Sequence, residues 1–252
     1  TVLITGANGW LGKSLVDSLL NGIKNSADVD KPDKKLIIKC LVLKGEDTSL
    51  LQQKSKRIIF IEGDITKIED CRRLTSNSKG AILFHCAGII HPRKTSQFFD
   101  INVNGTRNII DAAIKDKIKK TIFVSSNSPC GLNPNNKHLF DENSGYNPYM
   151  SYGRSKMEME KMINKIYKKG QMKTVIIRPP WFYGPNQPPR QTKFYKMIRD
   201  GKVPVVGDGN NKRSMACTVN IFPGLIRAAI SEKADGETYW IADKEPYSFN
   251  FI

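Results

Sequence analysis

A chain of 252 residues can bury a substantial core, as one large α/β domain or as a nucleotide-binding domain that carries a smaller lobe. The net charge is +16, but lysines dominate it without interleaved aromatic residues, which favours a solvated surface over a nucleic-acid footprint. No apolar run approaches the roughly 20 residues of a membrane helix and no signal peptide is visible, so we expect a cytoplasmic protein without nucleic-acid or membrane partners.

The five cysteines are scattered without C-x-x-C spacing, which argues against a disulfide framework and against a zinc cluster. Cys40, Cys86 and Cys217 lie in apolar surroundings, where a thiol behaves as a small hydrophobic side chain. We therefore expect reduced cysteines and no metal site.

Short β-branched runs alternate with longer helical patterns along most of the chain. The predicted strands are V-L-I-T, L-I-I-K-C-L-V-L, R-I-I-F-I-E, A-I-L-F-H-C-A, T-I-F-V-S-S and T-V-I-I-R. Nearly continuous apolar runs are typical of parallel strands that are covered on both faces, and their alternation with helices indicates βαβ units. The pattern therefore predicts an α/β fold with a doubly wound parallel sheet.

Helical periodicity covers Leu11 to Leu20, Asn104 to Ile114 and Tyr152 to Tyr167. The polar stretch from Asn21 to Lys35 predicts an exposed loop between the first helix and the second strand. The last helical pattern carries an apolar stripe that we interpret as core, made of Met159, Met162, Ile163 and Ile166.

After Arg178 the sequence becomes rich in proline, glycine and aromatic residues, and its segments become shorter and less regular. We therefore place a boundary near Pro179. Residues 1–178 are expected to form the nucleotide-binding domain, and residues 179–252 a smaller substrate-binding lobe that is expected to continue beyond Ile252.

The first predicted strand runs into T-G-A-N-G-W-L-G, which places Gly6, Gly9 and Gly12 where a strand turns into a helix. Glycines there permit a tight turn, let the backbone approach a pyrophosphate, and expose a helix N-terminus that favours anions. A glycine triplet alone is equally consistent with an ordinary turn. The strand before it and the amphipathic helix after it favour dinucleotide binding.

The G-x-x-G-x-x-G spacing and several later segments resemble the extended branch of the short-chain dehydrogenase/reductase superfamily, which contains nucleotide-sugar epimerases, dehydratases and reductases. The resemblance covers essentially the whole chain and implies a Rossmann fold with a smaller C-terminal substrate-binding lobe. The later segments are G-D-I-T at Gly63–Thr66, H-C-A-G at His85–Gly88, N-V-N-G-T at Asn102–Thr106, V-S-S at Val124–Ser126, Y-G-R-S-K at Tyr152–Lys156 and R-P-P-W-F-Y-G-P at Arg178–Pro185.

The resemblance also implies a set of cofactor contacts. They come from the glycine-rich turn, the ends of the following strands and the catalytic helix. The implied residues are Gly6, Asn8, Gly9, Trp10, Leu11, Gly12, Lys44, Asp64, Ile65, Cys86, Ala87, Gly88, Asn104, Ser125, Tyr152, Lys156 and Pro179.

The Y-x-x-x-K spacing places a phenol and an ammonium on one helix face, because residues four apart are neighbours there. A nearby cation stabilises phenolate, so Tyr152 is predicted to exchange a proton with the substrate while hydride moves to or from the nicotinamide. By resemblance Lys156 also holds the nicotinamide ribose, and the catalytic hydroxyl residue falls on Ser126 rather than on Ser125. An incidental surface pair is the alternative.

The chain also departs from the family pattern. The 4,6-dehydratases of the family carry an Asp-Glu pair directly after the catalytic hydroxyl residue, where this chain has Asn127 and Ser128. We therefore disfavour dehydration and expect both residues to line the substrate site. The tyrosine usually found before the closing glycine of this segment is replaced by Cys130, which alters substrate packing.

The residue at the end of the second strand decides between NAD and NADP. An acidic side chain there accepts hydrogen bonds from the adenosine ribose of NAD, whereas a basic one pairs with the 2′-phosphate of NADP. Lys44 occupies the basic position of related reductases, while Glu46 and Asp47 follow slightly later. The prediction is NAD(P), with a preference for NADP(H).

In the smaller lobe, a G-D-G turn precedes Arg213, which matches the family arginine that contacts the diphosphate of a nucleotide sugar. A guanidinium suits bidentate phosphate recognition, although a surface arginine beside a polar hairpin has the same appearance.

The leading hypothesis is an epimerase or 4-keto reductase of a nucleotide-activated sugar, of the polysaccharide-biosynthesis type. The alternatives are a reductase of a flavonoid-type or sterol-type carbonyl compound and a non-catalytic NADP-binding regulator. Homodimers are common in the family, but the sequence identifies neither the sugar nor the oligomer.

Overall fold

The computed structural model describes residues 1–23, 33–135, 137–205 and 207–252, so most of the predicted loop from Asn21 to Lys35 lies outside the described residues. Strands form where β-branched and aromatic residues cluster. Their bounds are β1 (Val2–Thr5), β2 (Ile38–Val42), β3 (Ile58–Glu62), β4 (Ile82–His85), β5 (Lys120–Val124), β6 (Lys173–Arg178), β7 (Trp181–Tyr183), β8 (Lys212–Arg213), β9 (Met215–Cys217), β10 (Thr238–Trp240) and β11 (Tyr247–Ser248).

The helices alternate with these strands. They are α1 (Trp10–Asn21), α2 (Ser49–Gln52), α3 (Ile68–Thr75), α4 (Ser96–Phe99), α5 (Thr106–Lys115), α6 (Ser151–Lys168), α7 (Pro189–Arg199) and α8 (Thr218–Ile230), with a π-helical turn at Asp100–Gly105 and a 3₁₀ turn at Glu232–Ala234.

The central sheet has the strand order β10-β6-β5-β4-β1-β2-β3, and all of its strands run parallel. Because helices cover both of its faces, β1 is buried along its whole length. One apolar cluster joins the sheet to α1 and α8, and the other joins it to α3, α5 and α6. The predicted doubly wound α/β fold is confirmed.

The strand order reverses between β1 and β4, since the chain runs outward through β2 and β3 before it returns. Ligands of such sheets bind in the crevice at the carboxyl ends of the strands beside this reversal. The glycine-rich turn follows β1, the H-C-A-G segment ends β4, and the V-S-S segment ends β5. The fold therefore brings these three motifs to one edge of the sheet.

The segment after Pro179 forms two small sheets, in which β7 pairs with β9 and β8 pairs with β11. The same segment returns twice to the large sheet, because β10 extends its edge beside β6 and α8 packs against α1 and β5. The division at residue 178 stays a prediction. Residues 179–252 contribute to both the large sheet and the smaller elements.

None of the helices in the described ranges combines the length and the apolar character that crossing a bilayer requires.

Candidate active site

The glycine-rich turn is packed too tightly for side chains at two of its three glycines. Gly6 has a φ of +69°, and a Cβ there would lie 2.7 Å from the Ala87 nitrogen. A Cβ on Gly12 would lie 2.1 Å from the Gly6 carbonyl oxygen. At Gly9, a Cβ would meet only the Gly6 carbonyl oxygen, at 3.2 Å, so the outer side of Gly9 is open. The turn therefore presents bare backbone at the start of α1.

This turn fits the pyrophosphate of a dinucleotide. No side chain caps α1, and no acidic residue stands in its first turn, so its free amide groups and dipole attract an anion. Two buried polar atoms beside the crevice, Asn8 Oδ1 and Ser125 Oγ, have no partner among the described residues. Buried polar atoms are normally hydrogen-bonded, so both are suited to accept a ligand contact.

The other residues implied as cofactor contacts differ in how far they are open. Ala87 and Gly88 line the crevice with backbone, next to the turn at Gly6. The Asp64 carboxylate accepts the Thr66 amide at 2.8 Å, so it closes its own turn at the rim. Burial raises the pKa of the Cys86 thiol to about 12, more than the Lys156 cation lowers it. Cys86 is therefore a neutral side chain under the crevice.

The remaining residues that the resemblance implies as cofactor contacts differ in burial. Leu11 and Ile65 are buried in the two apolar clusters, and Pro179 is buried directly after β6. Lys44 is exposed just beyond β2. The nearby Glu46 carboxylate accepts the Leu43 amide at 3.0 Å and is held at the same strand end. Both a cation and an anion therefore stand at the end of β2, where the resemblance implies the adenosine ribose.

The predicted proton-handling residues come together at the ends of β5 and the start of α6. Burial raises the pKa of Tyr152 to about 12, and a hydrogen bond with Ser126 opposes this shift. The Ser126 hydroxyl also contacts Asn127 Oδ1 and the Ser128 hydroxyl, each at 3.2 Å. Ser126 thus links the tyrosine hydroxyl to the polar side chains of Asn127 and Ser128, and these residues form one polar cluster.

Lys156 lies under this cluster and is almost fully buried. Its Nζ donates to the Val124 carbonyl at 3.0 Å. Burial lowers the pKa of Lys156 to about 8, and the nearby Glu160 carboxylate opposes the shift. The sequence predicted that Lys156 would lower the pKa of Tyr152. In the structure, burial of the phenol raises that pKa, and the hydrogen bond with Ser126, rather than Lys156, opposes the shift.

A buried hydrogen-bond chain that the sequence analysis missed supports the crevice from below. The Thr106 hydroxyl donates to the Asn102 carbonyl at 2.7 Å, so it accepts the His85 Nε2 proton at 2.9 Å. His85 Nδ1 then accepts from the Thr5 hydroxyl at 2.7 Å, and Thr5 accepts the Ala87 amide at 3.3 Å. The chain thus links β1, β4 and the helix that follows.

Asn102, also missed, joins the crevice to the catalytic helix. Its side chain accepts the Ile89 amide at 2.9 Å and donates to the Ile89 carbonyl and to the Ser155 hydroxyl, both at 3.1 Å. A Cβ on Gly88 would lie 3.2 Å from Asn102 Oδ1 and 3.4 Å from Lys156 Nζ. The π-helical turn places Asn102 inward, a feature often found at functional sites.

Asn104 was expected at the cofactor, but the structure places it on the outside of this helix. It is exposed, and its Oδ1 accepts from Arg107 at 2.8 Å. Asn102, two residues earlier in the same N-V-N-G-T segment, is fully buried at the crevice instead.

A buried ion pair lies one turn beyond Lys156. Arg178 donates to Glu160 from Nε at 3.1 Å and from Nη2 at 2.6 Å. Its guanidinium also lies over the rings of Tyr146 and Trp240, at 5.6 and 5.4 Å. The pair fastens α6 to the end of β6 and to the loop that carries Tyr146.

Aromatic side chains join the segment after β6 to the glycine-rich turn and to β8. The Trp10 indole in the glycine-rich turn donates to the Pro185 carbonyl at 2.7 Å, and its ring lies 4.8 Å from Phe182. Arg213 is exposed on β8, and its guanidinium lies 4.9 Å from the Trp181 ring centroid. The turn that fits a pyrophosphate is thus tied to the crossover segment that holds Arg213.

Comparison with known proteins places the chain among relatives. The model of the 3-beta hydroxysteroid dehydrogenase/isomerase family matches residues 3–252. The uncharacterized protein y4nL of Sinorhizobium fredii is 43% identical over 252 residues, which are 100% of this chain and 70% of that protein. The N-acetyl-alpha-D-glucosaminyl-diphospho-ditrans,octacis-undecaprenol 4-epimerase of Escherichia coli O157:H7 is 36% identical over 159 residues, 62% of this chain and 47% of that enzyme.

Among solved structures, the UDP-glucuronic acid 4-epimerase of Bacillus cereus, in complex with NAD, superposes with a TM-score of 0.82. The two are 23% identical, and the match covers 99% of this chain and 80% of that one. This likeness shows the fold.

Proposed function

Because the chain belongs to the 3-beta hydroxysteroid dehydrogenase/isomerase family, within the extended short-chain dehydrogenases/reductases, we propose that it oxidises or reduces a hydroxyl or keto carbon of a sugar carried on a diphosphate. Enzymes of this type depend on NAD(P). The observation that carries the proposal is the cluster of Ser126, Tyr152 and Lys156 at the crevice beside the glycine-rich turn.

Bound NAD(P) would supply the hydride acceptor or donor, held at Gly6 to Gly12 and beside Gly88. Ser126 then hydrogen-bonds the reacting oxygen of the substrate, and Tyr152 exchanges a proton with it. Lys156 holds the ribose and keeps positive charge beneath the phenol. Asn102 fixes the Ile89 backbone and Ser155, and through them the spacing between the crevice and α6.

The protonation state of Tyr152 suits a first proton transfer to the substrate, because the phenol is protonated at neutral pH at its ordinary pKa of about 10 and burial raises that pKa further. A phenol with a pKa of about 12 stays protonated at neutral pH, so it is ready to give a proton to a carbonyl oxygen. This suits a 4-keto reductase and the reductive half of an epimerase. Oxidation of a hydroxyl requires phenolate, which the positive charge of an oxidised nicotinamide and of Lys156 favours.

The substrate class rests on Arg213 and on two comparisons. The Escherichia coli relative acts on a diphospho-linked sugar, and the Bacillus cereus structure is that of a nucleotide-sugar epimerase. Arg213 is the cation expected at the diphosphate, and Asn127 and Ser128 stand where dehydratases of the family carry acids.

The test is calorimetry with UDP-, GDP- and dTDP-sugars on an Arg213→Ala variant. Loss of a charged hydrogen-bond partner should cost about 1.5–3 kcal/mol, or one to two decades in affinity. Binding of NADP(H) should stay normal. Lys212→Ala, which removes the exposed neighbouring cation of β8, is the matched control.

If both ligands weaken equally, the variant is misfolded, and Arg213→Lys should then be measured. If nucleotide-sugar affinity is unchanged, the diphosphate assignment is wrong. The second candidate, a sterol-type carbonyl compound, is favoured by the description of the matched family. Turnover of a 3-hydroxysteroid without turnover of any sugar diphosphate would establish it.

A further inference from the structure

The mouth of the crevice is bordered by three segments that contain no acidic residue. Residues 86–99 follow β4, residues 143–157 lead into α6 and Tyr152, and residues 189–199 form α7. Acidic residues are absent from all three, although the whole chain has 24 of them. The exposed cations of these segments are Arg93, Lys94, Arg154, Arg190, Lys193, Lys196 and Arg199.

Contacts join these segments around one opening. The pKa of His91 is lowered by burial and then by the nearby Arg190 cation, so the first segment lies beside α7. The ring centroids of Phe98 and Tyr152 are 5.8 Å apart, so the first segment also touches α6 at the catalytic tyrosine. We call the exposed surface of residues 86–99, 143–157 and 189–199 the cationic rim.

The cationic rim carries seven exposed cations, and the four exposed acidic residues that adjoin its segments, Asp100, Glu142, Glu158 and Asp200, leave it net positive. Within the part of the chain that the structure describes, only Arg199 among these cations has an ion-pair partner, the adjacent Asp200. Exposed cations that are not paired attract any extended anionic surface, and their combined field acts over about 8 Å at physiological salt.

Apolar side chains are exposed on the same rim. Ile90 is 52% exposed, Tyr149 61% and Met150 59%, and Met197 on α7 is also exposed. A soluble polyanion gives such side chains no partner. The headgroup region of a bilayer offers them a partner, because apolar and aromatic side chains insert between its lipids. Its phosphates pair with lysine and arginine at the same time.

We infer that the cationic rim docks on an anionic lipid surface, with the mouth of the crevice facing the bilayer. The expectation of no membrane partner was based on the lack of an apolar span, and a surface contact needs none. This inference does not depend on the proposed function. It would give a reactive site at the mouth direct access to lipid-carried molecules.

The experiment is sedimentation of the full chain with vesicles of phosphatidylcholine alone and of phosphatidylcholine mixed with phosphatidylglycerol. Binding is expected only to the mixed vesicles and should weaken as salt is raised. A Lys193→Gln/Lys196→Gln variant should lower the partition coefficient by roughly fivefold for each cation removed. Lys165→Gln/Lys168→Gln on α6, outside the rim, is the matched control with the same net charge.

A second variant, Ile90→Ser/Met150→Ser, separates a lipid from a soluble polyanion. It should weaken binding to mixed vesicles and leave binding to heparin unchanged. Circular dichroism and NAD(P) affinity confirm that each variant is folded. The inference is overturned by absence of binding to the mixed vesicles, by equal loss in both lysine pairs, or by an unchanged lipid affinity in the Ile90/Met150 variant.

Discussion

At the scale of single residues, Tyr152 and Phe differ only in the hydroxyl that hands over the proton. A Tyr152→Phe variant should lose turnover by about 10² or more, because the ring and the helix remain while the transferable proton is removed. Affinity for NAD(P) should change little. Steady-state kinetics with a cofactor titration measure both quantities, and turnover like that of the unmodified protein would rule out Tyr152 as the acid.

Cofactor choice also belongs to single residues, since Lys44 and Glu46 stand at the same strand end. NADP(H) preference is predicted from Lys44, and Lys44→Asp should shift preference towards NAD by roughly 1–3 kcal/mol, the scale of a charge-assisted hydrogen bond. Fluorescence titration with both reduced cofactors measures the ratio. A preference of the unmodified chain for NAD would mean that Glu46 holds the ribose instead.

At the scale of elements, the His85 chain joins β1, β4 and the helix after them. Burial lowers the pKa of His85 to about 3, so the folded state excludes a proton that the unfolded chain binds below its pKa of 6.5. Stability is therefore lost as the pH falls from 6.5 towards 3, by about 1.4 kcal/mol per pH unit.

The measurement is denaturant unfolding at several pH values between 4 and 7 for the unmodified chain and for His85→Gln. Glutamine does not titrate, so the variant should be less stable at neutral pH but lose less stability on acidification. Equal slopes for the two proteins would show that His85 does not carry this dependence.

The carboxyl end of α8 depends on a lysine buried in β5. Lys120 donates to the Ser231 carbonyl at 2.7 Å and pairs with Asp235, which Lys173 contacts from the other side. Lys120→Met removes the donor to the Ser231 carbonyl and leaves Asp235 with Lys173 alone, so it should cost about 1–3 kcal/mol of unfolding free energy. The exposed Lys119→Met is the control, and similar losses in both would contradict the capping role.

At the scale of the whole molecule, Trp10 connects the glycine-rich turn to the crossover after β6. Trp10→Phe keeps a ring beside Phe182 but removes the donor to Pro185. We expect the substrate KM to rise by about 2–10-fold, the range of one hydrogen bond, while NAD(P) affinity stays within a factor of about two. Equal effects on both ligands would show that Trp10 acts only through the cofactor turn.

The sequence predicted the six longest strands and the helices α1, α5 and α6, because each has a periodic or continuous apolar pattern. It did not predict α7 and α8, which lie in the less regular segment after Pro179. Met159 and Ile163 are buried as the stripe on α6 predicted. The return of β10 to the large sheet was missed. A three-residue strand after an irregular segment has too little periodicity to reveal where it pairs.

Only those residues of the site that lie in recognisable sequence motifs could be predicted. Ser126, Tyr152 and Lys156 lie together, while Asn104, which the resemblance implied as a cofactor contact, is exposed and Asn102 lies at the crevice. The roles of Asn102 and His85 depend on contacts between distant parts of the chain, which no local pattern encodes.

The π-helical turn at Asp100–Gly105 holds one residue more than an α-helix of the same rise. Removing that residue would rotate everything before it by about 100° relative to α5, since each α-helical residue turns by that angle. Asn102 would then point away from Ile89 and Ser155, even if every side chain were kept. The contacts of Asn102 therefore depend on the length of this stretch, whereas the exposed Asn104 contacts Arg107 at the surface.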